Sequence, residues 1–283
     1  MNVYNINIFN IQFILLYAFL VCSPIVALYA SKSVINMTPQ ITQAYYQATS
    51  LRLVESQKTL QNIRQQDPNN VMVQYVENYI DFFTVFIKEE KSDYLNLLAN
   101  KDRRLEIIAQ SDSSSPYYLF CKAEIILQVA TVKLKFDDKV SAANDVFRAY
   151  KMLEENKQLF PNFIENNKSL SIIYALADSL PAWIRKLLGI KGSITQATTD
   201  IKLLADKAHK ENNMFKDEIV SIYSYILFYV NQQQEEAFKL FDTYQCNHKT
   251  NPLIAFLKAT FAQKLGNTPQ AIKILWLYVE SCG

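Results

Sequence analysis

Between the prolines of this chain, apolar side chains recur at steps of three and four residues. Tyr45, Ala48, Thr49, Leu53, Ser56 and Leu60 keep that spacing, and so do Tyr75, Val76, Tyr79, Phe82, Phe83 and Phe86. Phe147, Tyr150, Met152, Leu153 and Leu159 follow it with one slip. A period near 3.6 gathers such residues on one side of a helix, whereas the alternation that a half-buried strand needs is found in no long run bounded by turn residues. The prolines mark where the helices begin. Thr38-Pro39, Ser115-Pro116, Asn251-Pro252 and Thr268-Pro269 each put a capping side chain before a proline that has no amide hydrogen to leave unpaired. Asp67-Pro68 reads as the turn before a helix, and Ser193 to Gln196 as a capping box just after Gly189 and Gly192. The pattern predicts about eleven or twelve helices, most of about 11 to 20 residues, with short polar turns between them.

Composition narrows the class. Of 283 residues 50% are apolar and 20% charged, and only 4 are glycine, where average usage would give about 20. Disordered and collagen-like chains are excluded, and folds that need glycine at phosphate loops or tight β-turns are disfavoured. A net charge of +2 supplies no phosphate-neutralising surface. The nearest basic group, Lys101, Arg103 and Arg104, is interrupted by Asp102 and Glu106 and reads as a solvated helix face. No nucleic-acid partner is expected.

Residues 1–30 carry no charged side chain, and Ile11 to Val21 is apolar apart from Gln12. This suits the core of a secretory signal, with Pro24 breaking the helix and Ala27 or Ala30 before a cleavage point, although no Lys or Arg precedes the apolar run. The alternative is an uncleaved anchor, since residues 6–30 are long enough to span a bilayer and associate the protein with a membrane. The expected location is therefore secreted or periplasmic, or alternatively membrane-anchored. Cys22 lies in the leader; Cys121 reads as an apolar filler, and Cys246 can pair with Cys282 if the tail folds back. Asn36-Met37-Thr38 and Asn167-Lys168-Ser169 fit the N-glycosylation pattern.

A repeat lies near the carboxyl end. Ala237-Phe238-Lys239-Leu240-Phe241 and Ala271-Ile272-Lys273-Ile274-Leu275 stand 34 residues apart and match in character at every position. The match extends to Tyr244 with Tyr278, Ile219 with Leu253 and Ile222 with Phe256. A 34-residue period with two helices per unit describes stacked helical hairpins, because one hairpin cannot bury both of its apolar sides and its neighbours must cover them. Leu265-Gly266-Asn267-Thr268-Pro269-Gln270-Ala271-Ile272 resembles the inter-helix turn and second helix of a tetratricopeptide repeat, with small Ala259 and Ala271 where the helices touch. Ser56 to Ile63 followed by Asp67-Pro68-Asn69-Asn70 resembles the second helix and exit turn of another. The likeness covers about Glu218 to Glu280 and Gln40 to Ile87, while Lys139 to Leu159 supplies a second helix between them and the family's bulky first-helix residues are mostly missing. The segment from Leu180 through Trp183 to Gly192 is also similar to a leucine-rich break in tetratricopeptide proteins of the inclusion-body-clearance type.

The resemblance implies an all-α fold, a right-handed superhelix or solenoid of hairpins over residues 38–283. Its implied groove, carried from the family's concave-face positions, consists of Ile222, Ile226, Tyr229, Phe256, Thr260, Gln263 and Lys264. The basic and asparagine set that clamps a terminal carboxylate in some members is absent there.

Catalytic patterns do not emerge. Gly189, Gly192, Gly266 and Gly283 form neither a phosphate loop nor a nucleophile elbow. His209 and His248 have no second histidine one turn away, so no metal site is expected; both read as solvated surface residues. Asp137-Asp138 and Glu235-Glu236 sit where helices begin and favour the helix dipole. Trp183 and Trp276 read as packing residues, the alternative for Trp183, beside Arg185 and Lys186, being a surface anchor. The 17 Tyr and 17 Phe read first as filling between layers. The expectation is a non-enzymatic scaffold without cofactor, binding a protein or peptide partner on its concave face. The alternative is a helical carrier of a lipid or other apolar ligand, suggested by the apolar stretch Ile219 to Val230 and the aromatic excess.

Overall fold

Thr38, Ser115, Ser193 and Asn251 act as the sequence predicts. Each side chain accepts a hydrogen bond from an amide of the following turn, at 3.2, 3.3, 3.1 and 3.0 Å respectively. The fourth proline-marked helix begins differently: the side chain that caps it is Asn267, accepting from Gln270 at 3.1 Å, and Thr268 is already helical. The structure, a computed structural model, describes residues 33–181 and 189–282, with side chains to 280. The leader with Cys22, the expected anchor at Trp183 and the side chain of Cys282 lie outside the described residues.

The described residues form twelve helices and no strand beyond isolated bridges. They are α1 (Pro39–Thr49), α2 (Leu53–Gln66), α3 (Met72–Lys88), α4 (Lys91–Ala109), α5 (Pro116–Lys135) and α6 (Lys139–Leu159). There follow α7 (Asn167–Asp178), α8 (Ile194–Lys210), α9 (Lys216–Tyr225), α10 (Gln234–Thr243), α11 (Pro252–Lys264) and α12 (Thr268–Cys282). The end of α9 widens into a π-turn over Ile226–Val230. Consecutive helices pair as hairpins: α1 with α2, α3 with α4, α5 with α6, α7 with α8, α9 with α10 and α11 with α12. First helices also meet the first helix of the next pair, as α1 meets α3, α3 meets α5, α7 meets α9 and α9 meets α11. Ala259 and Ala271, expected at a helix contact, are buried in one apolar cluster with Ala255, Ala262 and Ile274 between α11 and α12.

Scarce glycine does not prevent tight turns. Leu51, Glu89, Asp137, Asn212, Gln232 and Gln245 all take the left-handed conformation between helices, with φ from 49° to 63°. Such residues satisfy the last carbonyls of the preceding helix at about 1–2 kcal/mol of backbone strain each. Before α1, Asn70 clasps the extended chain: its Nδ2 donates to the Asn36 carbonyl at 2.9 Å, and Val34 exchanges backbone bonds with Asn69 and Val71.

The core runs continuously from α1 to α11. At its centre Phe215, just before α9, packs edge-on against Tyr45 of α1 and Tyr75 of α3, with centroids 5.3 and 6.4 Å away, and lies 5.7 Å from Phe120 of α5. Elements far apart in sequence therefore meet on one ring. Cys121 and Cys246 are buried free thiols, and the expected pairing of Cys246 with Cys282 involves a side chain outside the described residues. Burial pushes both thiols up, away from reactivity. Asn167 of the second glycosylation pattern is buried, whereas Asn36 is exposed. His209 is half-buried against the Tyr244 ring at 5.8 Å, and His248 is half-buried near Lys258, so neither is the solvated residue expected.

Phe215→Ala should lower the free energy of unfolding by about 3–5 kcal/mol, read from urea titration by circular dichroism. Gly192→Ala should also destabilise the fold, because φ is +136° and an added Cβ would lie 2.4 Å from the Tyr174 ring. Unchanged midpoints in both would contradict this packing.

Candidate binding cavity

A cavity of about 1100 Å³ opens among the helices. Its apolar wall comes from Phe82 and Phe83 of α3, Leu127 of α5, Val146 and Phe147 of α6, Ile172 and Leu176 of α7, and Leu253, Ile254 and Leu257 of α11. Tyr45, Tyr79, Glu124, Ser169 and Glu218 line it as well. Apart from the α6 contribution, the helical lining is carried by the first helix of each pair.

Behind that lining an ammonium is buried. Lys168, at the start of α7, is 1% exposed, and its Nζ lies 2.5 Å from Glu124 Oε2 and 3.0 Å from Glu218 Oε2. Its third donor reaches the Tyr79 hydroxyl at 3.3 Å. Tyr45 donates to Glu218 Oε2 at 2.6 Å, Tyr79 donates to the same carboxylate, and the Ser169 hydroxyl donates to Glu124 Oε1. The Phe215 and Phe120 rings stand 5.2 and 5.7 Å from the Lys168 nitrogen. Burial alone would push Lys168 down, but the two carboxylates outweigh it and raise the group above its ordinary value. Burial raises Glu124 against the pull of Lys168. Tyr45, Tyr75 and Tyr79 are held well above the ordinary phenol value, first by burial and then by the neighbouring carboxylates.

A second buried network reaches the cavity from α4. Arg104, read from sequence as part of a solvated face, is 3% exposed, because Asp81 and Asn78 of α3 compensate its charge. Its guanidinium lies 2.8 Å from Asp81 Oδ2 and donates to Asn78 Oδ1 at 3.0 Å. Arginine only donates, so Asn78 must present its oxygen there and its Nδ2 to Gln128 Oε1, at 2.7 Å. Among the described residues Gln128 Nε2 then has no partner, and Gln128 lines the cavity.

The seven residues expected to form a groove are placed elsewhere. None lines the cavity. Ile226 is fully buried at the start of the π-turn, Ile222 is half-buried against the core, and Thr260 is half-buried with its hydroxyl on the Phe256 carbonyl. Phe256, Gln263, Lys264 and Tyr229 are exposed, and of these the structure brings together Lys264 and Tyr229, 5.7 Å from nitrogen to ring centroid. The cavity takes Leu253, Ile254 and Leu257 from α11 and Glu218 and Ser221 from α9. On α11 Leu257 lines the cavity while the expected Phe256, one residue or about 100° away, does not. No local signal singles these charges out: Lys122 lies two residues before Glu124, and Lys216 and Asp217 directly precede Glu218.

Compared with protein-family models, curated proteins and solved structures, the chain matches none.

Lys168→Met should destabilise the fold by about 3–5 kcal/mol, because it leaves buried carboxylates unpaired. In that variant the folded Glu124 lies further above the unfolded carboxylate value of about 4.3. The folded state then binds more protons than the unfolded state above that pH, so the variant should regain stability as pH falls. In the wild type Lys168 and the three tyrosines are raised in the fold. Their contribution is complete below their unfolded values and is lost as pH climbs past about 10. Urea midpoints across pH read both effects; a midpoint indifferent to pH in the variant would count against the network.

Proposed function

We propose that the protein is a non-enzymatic binding scaffold of tetratricopeptide type, a right-handed superhelix of stacked hairpins that receives a segment of another polypeptide. Export, as a secreted, periplasmic or membrane-anchored protein, rests on residues 1–30 alone. The observation that carries the reading is the cavity itself, to which α1, α3, α5, α7, α9 and α11 all contribute. The hairpin pairing and the contacts between successive first helices support the stacked arrangement. The charged groups behind the wall are engaged with one another, as a structural device requires.

The wall also says which kind of segment fits. Helices satisfy their own backbone groups, so the lining offers no open edge to an extended peptide, whose amides and carbonyls need partners when buried. An amphipathic helix brings its backbone already paired and lays an apolar face against Leu127, Phe147, Ile172 and Leu176. A carrier of an apolar small molecule is the second reading. It is favoured by a volume at the upper edge of the usual small-molecule range of about 300–1,000 Å³.

Ile172 and Leu176 stand one turn apart on α7, and both line the cavity. Replacing both with Trp should weaken amphipathic helical peptides selected on the full chain by about tenfold or more, which is about 1.4 kcal/mol, in fluorescence anisotropy. Phe256→Ala with Lys264→Ala should leave that affinity unchanged. The reverse ranking would move the partner to the outer surface of α11, and an apolar molecule retained in native mass spectrometry would favour the carrier.

A further inference from the structure

Charge around the cavity does not balance at its centre. At the rim each cation has its own partner: Arg52 is held by Glu55 at 3.1 Å, Lys139 by Asp137 at 2.8 Å, and Lys216 lies beside Asp217 with its nitrogen 3.4 Å from the Gln245 carbonyl oxygen. Deeper in, the single ammonium of Lys168 serves both Glu124 and Glu218. Its three donors are all engaged, and Glu124 has one donor on each oxygen, from Lys168 and Ser169.

Glu218 differs. Tyr45 at 2.6 Å, Tyr79 at 3.0 Å and Lys168 at 3.0 Å all converge on Oε2. Among the described residues Oε1 receives only the longer, 3.2 Å arm of the same Tyr79 hydroxyl. A carboxylate has about four acceptor sites, so Oε1 retains acceptor capacity on a side chain that is 30% exposed and lines the cavity. Gln128 Nε2 and Asp217 Oδ1 of the lining also lack partners among the described residues, but both atoms are buried, whereas the Glu218 side chain is 30% exposed in a wall that is mostly apolar.

We propose that the cavity selects ligands that join an apolar body to one cationic nitrogen, an ammonium or guanidinium, which docks on Glu218 Oε1. The inference rests on the binding reading above and adds the sign of the ligand's charge. A cation completes the charge count of two carboxylates and one ammonium and finds aromatic surface from Tyr45 and Tyr79 beside it. An anion would meet the Glu218 carboxylate beside a mostly apolar wall, where like charges repel more strongly than in bulk water. The nitrogen can come from a Lys or Arg on the apolar face of a bound helix, or from the head of a small amphiphile.

The test titrates the full chain with dodecylamine, dodecanol and dodecanoate, each below its micelle concentration, and with two amphipathic helical peptides that differ only in Lys against norleucine on the apolar face. The amine should bind at least about tenfold tighter than the alcohol and the acid weakest of the three, or the Lys peptide should exceed the norleucine peptide by a similar factor. Preference among the amphiphiles alone identifies a small ligand, and preference among the peptides alone identifies a polypeptide. Glu218→Gln, with its fold verified by circular dichroism, should abolish the preference while leaving the uncharged probe bound. Binding with no preference for the cation in the wild type overturns the inference and spares the cavity. A preference that survives Glu218→Gln also overturns it. No binding by any probe overturns both. The wild-type comparison stands even if the variant does not fold.

Discussion

Burying one ammonium constrains this molecule more than any other single interaction. Lys168 can leave water only if carboxylates and hydroxyls reach it from several directions; they come from α3, α5 and α9, and Tyr45 of α1 and Ser169 in α7 hold the two carboxylates in turn. The Tyr45–Glu218 bond alone joins residues 173 positions apart. Buried ion pairs are poor sources of net stability, since desolvation offsets most of the attraction. Their effect here is geometric: a shift of any of these helices by a turn would leave a charge without its partner. The aromatic rings around Phe215 supply the apolar burial, and the charges set the register within it.

The same demand shapes the cavity. Where the wall covers the Lys168 network it presents Tyr45, Tyr79, Glu124, Ser169 and Glu218. Arg104 repeats the logic on a smaller scale, fixing Asn78 and through it the orientation of Gln128. Both networks run from buried charge outward to residues that face the cavity. The result is a mostly apolar cavity with buried charge networks behind it.

Turns show a second economy. With four glycines the chain still reverses direction tightly, placing Leu, Glu, Asp, Asn and Gln in the left-handed region. Each carries some strain, and each is held by the packing of the hairpin it closes. Low glycine content therefore predicted the helical class correctly without implying open loops.

Helix existence was legible because it depends on local chemistry: the three- and four-residue spacing, the capping side chains before prolines, and the acidic starts at Asp138 and Glu235 are all properties of neighbours in sequence. The start of α12 was misread by one residue because Thr268 and Asn267 are both competent caps, and only the backbone geometry chooses between them. The face that lines the cavity was not legible. Leu257 and Phe256 look equivalent in a periodic pattern, and what separates them is which neighbouring helices pack on either side. Lys168, Glu124 and Glu218 lie 44 to 94 residues apart, and no local rule joins them. The sequence by itself determined that the chain is helical and, to within a residue, where the side-chain-capped helices begin. Only the tertiary structure decided which charges meet and which apolar side remains open, because burial and pairing of charge depend on contacts between helices that local propensity does not encode.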